Sequence, residues 1–323
     1  MNVLLVGGFG YLGGRLATGL RARGHEVVVA GRRVRAEGWL GFRVETVDVL
    51  AEPEALAAVL RKTSTQAIVD LAALDENEAI VDPDMALRVS GEGVRRLLSA
   101  ARLADKPRLV FMSTFHVYGA RVPASIDEDT ATKASHPYAT AHLAGEGYCR
   151  ESNRVGGPQA VVLRMSNGYG CPADLAVDRW TLAHNDFCRQ AIETGKITLT
   201  SSGVQRRDFV WMDDVAQAVD LVLRAPSSGS APGSYLGEAV FNVGGGRTVS
   251  IFELATIVAA RAEKLLGRPV TVDRPSQGGA SDAGQDFHFS IDRLRALGYA
   301  PSDRLTEETD ALLAALKSST EAR

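Results

Sequence analysis

Val6-Gly7-Gly8-Phe9-Gly10-Tyr11-Leu12-Gly13 stands between an apolar strand, Val3 to Val6, and a helical pattern running from Leu12 to Arg23. A pyrophosphate can rest on the N-terminal end of a helix only where the backbone approaches closely. Side chains must therefore be absent in the turn and where helix meets sheet. Gly7, Gly10 and Gly13 meet that need. A glycine string alone is a weak signal, but here it closes a strand and opens an apolar helix, which predicts a dinucleotide-binding turn.

Outward from this turn, β-branched apolar runs alternate with helical patterns: Val27 to Ala30, Phe42 to Val47, Glu54 to Arg61, Ala67 to Leu71, a long helix from about Pro83 to Leu103, Arg108 to Ser113, a helix after Pro137, and Ala160 to Arg164. Such alternation winds a parallel sheet, so the fold class expected is α/β, a doubly wound Rossmann sheet with a smaller mixed α/β substrate-binding lobe. The Rossmann domain is expected over 1–166 and the lobe over 167–323, with segments such as 206–224 and 240–244 returning to the core. Helical stretches are expected near Trp180 to Thr194 and Ile251 to Leu266. The glycine-rich stretches Pro226 to Gly237 and Ser276 to Gly284 read as loops, the second lying over the cleft.

The end of the second strand bears on which dinucleotide binds. A ribose with a free 2′-hydroxyl calls for a carboxylate about twenty residues beyond the glycines, and a 2′-phosphate calls for arginine. The sequence reads Val29-Ala30-Gly31-Arg32-Arg33. With no acid there and two guanidinium groups behind the glycine, NADP is favoured over NAD, Arg15 on the first helix assisting. The plainer reading of Arg32 and Arg33 is a solvated loop. Asp48 is placed to accept a hydrogen bond from the adenine amine.

With 323 residues, 45% apolar and 23% charged, the chain can bury a full core. A net charge of −3 gives no long-range attraction to nucleic acid or to an anionic membrane, and a small-molecule substrate is expected instead. The first residues lack a basic, apolar leader and no run is long enough to span a bilayer, so a cytoplasmic protein is expected. Cys149, Cys171 and Cys188 lack metal-ligand spacing and read as reduced thiols.

Reducing a ketone needs a proton donor at the carbonyl oxygen, a second hydroxyl to fix that oxygen, and a cation that lowers the donor's pKa. Tyr138 can donate, and Thr114, directly after the strand ending at Ser113, can be the second hydroxyl.

At this point the chain resembles the extended branch of the short-chain dehydrogenase/reductase family, the nucleotide-sugar epimerases, dehydratases and reductases. The resemblance rests on residues 7 to 13, Tyr11 and Leu12 included; on Leu71-Ala72-Ala73 closing the fourth strand; on Ser113-Thr114-Phe115-His116-Val117-Tyr118-Gly119; and on Tyr138 to Glu146. It continues through Leu163 to Gly170, Arg206 to Val210, Asp213 to Ala216 and Phe241 to Gly244. It implies catalytic roles for Thr114, Tyr138 and His142. It also implies cofactor contacts from the glycine turn, Leu71, Ala72, Ala73, Tyr138 and His142, and substrate contacts from Thr114, His116, Asn167 and Arg207. Arg207 would meet the diphosphate of a nucleotide sugar, its alternative being an ion pair with a neighbouring aspartate. The doubled arginine is similar to bacterial reductases of keto-deoxysugars, and the helices from about Pro83 and Pro137 resemble the family's dimer-forming pair.

Where the family has lysine, four residues after the tyrosine, this chain has His142; Ser90 replaces an asparagine and Asp70 a histidine. An always-charged cation becomes a switchable one, able to donate to a ribose hydroxyl but mostly neutral at pH 7. The family's arginine for the second phosphate is not evident around Ser281 to Asp286. His116, His136 and His142 fall near the cleft, yet no ligand-spaced pair occurs, and no metal is expected. Two readings follow: an NADP-dependent reductase or epimerase of a nucleotide-linked keto-deoxysugar or similar intermediate, or a catalytically impaired, redox-sensing protein that keeps the cofactor site.

Overall fold

The computed structural model describes residues 1–33, 38–105, 107–226, 239–275 and 286–321. Of the glycine-rich stretches expected over Pro226 to Gly237 and Ser276 to Gly284, all but Pro226 lie outside them, as do residues 281–285 in the region of the family's second phosphate arginine. Seven parallel strands form the central sheet: β1 Asn2–Val6, β2 Glu26–Gly31, β3 Arg43–Thr46, β4 Ala67–Asp70, β5 Arg108–Thr114, β6 Ala160–Met165 and β7 Val240–Val243. Their order is 7-6-5-4-1-2-3. The alternation of strand side chains divides the core between the two faces. Val3 and Leu5 join one apolar cluster, Leu4 and Val6 the other, so β1 is apolar from Val3 to Val6 because helices cover both faces.

β1 pairs with both β2 and β4, and Val6 lies level with Asp70. The chain leaves β1 toward one side and later returns to β4 on the other, which opens a crevice at the carboxyl ends between them. Every element expected of the core forms, with small shifts at the ends. The helix expected from Pro83 to Leu103 forms as Pro83–Leu87 and Gly93–Leu103, joined by a wider π turn over Arg88–Glu92. A π turn is rare and its sequence signature is weak.

The smaller lobe has the three-stranded sheet Thr248–Ser250, Arg206–Trp211, Asn167–Tyr169 and the pair Lys196–Thr198 with Thr271–Asp273. Helices Ala183–Thr194, Ile251–Leu266 and Leu305–Glu321 enclose a third apolar cluster around Phe187, Leu254 and Leu312. Ser250 and Glu253 form a reciprocal cap at the start of Ile251–Leu266, and Gly267, at φ 66°, ends it. Glu308 on the last helix accepts hydrogen bonds from Arg15 Nη2 at 2.9 Å, the Cys171 amide at 2.7 Å and Trp211 Nε1 at 2.7 Å. Among the described residues no helix is long and apolar enough to cross a membrane.

Candidate active site

The three motif glycines are not equivalent. A Cβ on Gly7, whose φ is +73°, would lie 2.8 Å from the Leu71 carbonyl carbon and the Ala72 nitrogen; one on Gly13 would lie 2.2 Å from the Gly8 oxygen. These two positions are glycine because protein backbone fills the space. At Gly10 the nearest atom is the Gly7 oxygen at 3.6 Å, so the missing side chain there leaves room for something other than protein. Gly10 also caps the helix Tyr11–Ala22, whose first turn has no side-chain cap and no acidic residue. The turn fits a dinucleotide: backbone N–H groups and the positive helix end are left open to a pyrophosphate. Leu71, Ala72 and Ala73 follow β4 along its edge, while Leu12 packs against the core. The Tyr11 phenol points into the lobe, donating to the Gly170 carbonyl at 2.5 Å and reaching Asn185 Oδ1 at 3.1 Å.

At the end of β2, a Cβ on Gly31 would stand 2.7 Å from the Phe9 ring, which packs edge-on against Trp39 at 5.2 Å. Aromatic packing therefore gives glycine at 31 a second reason. Arg32 and Arg33 are exposed. Arg15 does not join them: its guanidinium is held by Glu308 and by the Cys171 carbonyl at 3.2 Å. The assisting role expected of it is thus corrected to a structural one. Asp48 is exposed, with Oδ1 accepting from the Leu50 amide at 2.9 Å.

Thr114 and Tyr138 come together. Thr114 ends β5, and Tyr138, one residue into the helix Pro137–Arg154, lies near enough that the Thr114 side chain lowers the pKa of its phenol. What sets this approach is the next turns of that helix. A Cβ on Gly145 would lie 2.4 Å from the Ser90 carbonyl oxygen and 2.7 Å from the Phe111 ring, so only glycine lets the helix sit this close to the sheet. One residue on, the fully buried Glu146 accepts from Ser113 Oγ at 2.7 Å and from Arg164 Nε and Nη2 at 2.9 and 2.7 Å. Arg164 also donates to the Tyr118 hydroxyl at 3.0 Å, which bonds Asn242. Burial, partly offset by Arg179 and Thr114, pushes the Tyr138 phenol up to about 12. It is an acid, not a phenolate, at neutral pH.

His142 is buried, its Nδ1 2.8 Å from the Tyr138 carbonyl, its ring 4.3 Å from the Tyr138 ring and stacked on Phe111. A carbonyl only accepts, so Nδ1 carries the proton. Burial pushes the imidazole down to about 4. The switchable cation expected at this position is therefore a neutral ring throughout the physiological range. Its remaining nitrogen, Nε2, is an acceptor where a donor was expected.

Around the phenol lie groups that sequence spacing does not reveal. Glu76, on the short helix Glu76–Val81, pairs with His116 Nε2 at 2.7 Å. The rings of His116 and His136 lie 5.3 Å apart, and His136 stacks on Tyr138 at 6.0 Å and 14°. The hydrogen bond from His116, opposed by burial, holds the Glu76 carboxyl below the usual range. Arg179 bonds Asp75 at 3.0 Å. Arg207 is half-buried, burial lowers its pKa, and the charge of Glu76 acts on it; its one hydrogen bond among the described residues is a long one, 3.4 Å, to the Arg206 carbonyl. The alternative pairing with an aspartate does not form with its neighbour. Asp208 is taken by Ser166 and the amides of Gly245 and Gly246. Asn167 spends its side-chain amide on the Asp208 carbonyl at 3.0 Å. Ser90 is buried in the π turn, and Asp70, also buried, leaves Oδ2 without a partner. Glu76, Arg179 and His136 are the residues that sequence reasoning left without a role. The Asp75-x-x-Glu78 capping box was the one local signal for the first of them.

Residues 3–244 match the model of the NAD dependent epimerase/dehydratase family. The chain is 35% identical over 180 residues to D-erythronate dehydrogenase of Cupriavidus necator, covering 51% of this chain and 54% of that protein, so it spans about half the length of that relative. Over 270 residues it is 30% identical to UDP-glucose 4-epimerase of Mycolicibacterium smegmatis, covering 80% and 82% of the two chains. Among solved structures, the Thermus thermophilus UDP-glucose 4-epimerase in complex with NAD superposes with a TM-score of 0.79 at 25% identity, covering 98% and 99%.

Proposed function

The chain belongs to the NAD dependent epimerase/dehydratase family, an enzyme family with a Rossmann core, and from that premise we propose that it is an NADP-dependent oxidoreductase, a keto-reductase or epimerase of a nucleotide-linked sugar. What carries this reading is Thr114 at the carboxyl end of β5, near enough to the Tyr138 phenol for its side chain to lower that group's pKa. Relatives named for UDP-glucose support the substrate class, and the half-buried Arg207, with no carboxylate bonded to it among the described residues, offers the cation that a diphosphate needs. The cofactor supplies hydride transfer when bound. The glycine turn and the open end of the helix Tyr11–Ala22 would hold its pyrophosphate, and Arg32 and Arg33 a 2′-phosphate. Thr114 orients the substrate oxygen, and Tyr138 gives it a proton. A neutral His142 favours a second reading, a cofactor-binding sensor without turnover; detectable hydride transfer with any nucleotide sugar rejects it.

Thermal-shift titration with NADPH, NADH, UDP and TDP separates these possibilities. Arg32→Ala with Arg33→Ala weakens NADPH by roughly tenfold or more, from two lost charge-assisted contacts, and leaves NADH within about twofold. Equal losses would reverse the cofactor assignment. The helices Gly93–Leu103 and Pro137–Arg154 together expose Leu103 and Tyr148, with Val155 just beyond, and these support a homodimer through that face. Light scattering at micromolar concentration returns a dimer mass if so, and a monomer if the face is free.

A further inference from the structure

Resting on the reading above, we propose that Glu76 and His116 form a proton relay for Tyr138, making His116 a positioning residue that sets the charge of the phenol. The site needs one. Tyr138 is a phenol at neutral pH, and oxidation of a substrate hydroxyl requires it to shed its proton first. His142 Nε2 can accept that proton, but its ring, 2% exposed, cannot pass it directly to solvent.

His116 can. The tight turn Phe115–Tyr118 that follows β5 folds back so that the His116 amide donates to Thr114 Oγ1 at 3.2 Å, the same side chain that acts on the charge of the phenol. Its ring stands 6.2 Å from the Tyr138 ring at 80°, a span that one intervening solvent molecule closes. Nε2 is tied to Glu76 at 2.7 Å, and with Glu76 ionised that nitrogen bears the proton, leaving Nδ1 as the acceptor. The ring is 38% exposed, so it can return a proton to solvent.

The surrounding charges suit this role. His136 and His142 face His116, and Arg179 and Arg207 face Glu76. Asp75 is paired to Arg179. Glu76, His116 and His136 also bring possible ligand atoms within 4.8 Å of one another, but a cation is disfavoured there. Two arginines act on Glu76, and its 2.7 Å contact with His116 is shorter than the roughly 3.3 Å between two donors on one tetrahedral zinc.

In the oxidative direction the Tyr138 O–H bond breaks, its electron pair stays on oxygen, and an N–H bond forms at His116 Nδ1. The phenolate oxygen then takes the substrate hydroxyl proton as that carbon's hydride leaves for the nicotinamide. The imidazolium next gives its proton to water. The substrate loses two electrons, the nicotinamide gains them, and one proton reaches solvent.

The test is the pH profile of hydride transfer for the native chain, His116→Asn and Glu76→Gln, with dinucleotide affinity followed by fluorescence. His116→Asn lowers oxidative kcat/KM about 100-fold at pH 7 with affinity unchanged, and the deficit narrows as pH rises because hydroxide substitutes for the imidazole. Glu76→Gln loses less and moves the limb of the profile to lower pH. A deficit constant with pH, or none, overturns the relay. Ring-nitrogen NMR of the free chain decides independently of turnover. The Nε2–H tautomer of His116 supports the proposal; the Nδ1–H tautomer, or tight binding of added zinc chloride at these rings, overturns it. If native protein transfers no hydride with any nucleotide sugar, the functional reading fails while NMR still judges the pair.

Discussion

Tyr138→Phe lowers hydride transfer with the best nucleotide sugar from the thermal-shift screen by about 10³-fold, within the usual span for a lost general acid. The ring itself stays. Its packing 4.3 Å from the ring of His142 and 6.0 Å from that of His136 uses carbon faces that phenylalanine retains, so thermal stability changes by no more than about 1 kcal/mol, the worth of one hydrogen bond. Dinucleotide affinity through the glycine turn is kept because that turn lies on β1, two strands away from β5. The result to check is therefore a large fall in kcat with only small changes in melting temperature and dinucleotide dissociation constant. A loss of less than tenfold would remove Tyr138 from the acid role and leave Thr114 alone to meet the substrate oxygen.

Arg164→Leu destabilises the fold by about 3 kcal/mol at pH 7, because it leaves a carboxylate buried between a helix and the sheet with only Ser113 and the exposed Arg150 as partners. Burial alone would raise the Glu146 pKa, but the hydrogen bonds and charge of Arg164 hold it below the usual carboxylate range. A carboxyl whose folded pKa is depressed contributes stability above its unfolded pKa, roughly 4.3, and loses it as pH falls through the folded value. Without Arg164 only Ser113 and Arg150 still favour the carboxylate, and burial shifts the balance toward the protonated acid. The deficit of the variant is greatest at neutral pH and shrinks below about pH 4. By the entropy of unfolding per residue, about 3 kcal/mol corresponds to a fall of roughly 5 °C in a chain this long. A deficit equal at pH 7 and pH 3.5 would show that charge at this pair is not what holds the helix. The consequence reaches the site, since Glu146 also bonds Ser113, next to Thr114.

The comparison of sequence with structure has a physical pattern. Strand alternation and glycine spacing are local, and they were sufficient for the strands from Val3 to Arg164, the first turn and the helix at Ile251; Thr114 and Tyr138 were singled out by the chemistry of ketone reduction and by resemblance. What escaped reading depends on contacts distant in sequence. Glu76 sits on a six-residue helix too short for periodicity to announce, and it reaches His116 forty residues later. Arg179 lies just before a helix that begins at Ala183, in the least periodic part of the chain. The sequence showed that a histidine replaces a charged lysine, but not that burial and a backbone carbonyl would fix its tautomer. Arg15 looked free to meet a phosphate because nothing local claims it; its partner, Glu308, is 293 positions away.

That same carboxylate has a mechanical meaning. By gathering an arginine of the first helix, the backbone at Cys171 and the indole of Trp211, Glu308 works as a clasp between the cradle for the coenzyme and the lobe that faces it. A chain trimmed short of this final helix would lose all three of those bonds at once and unlatch the turn from the lobe.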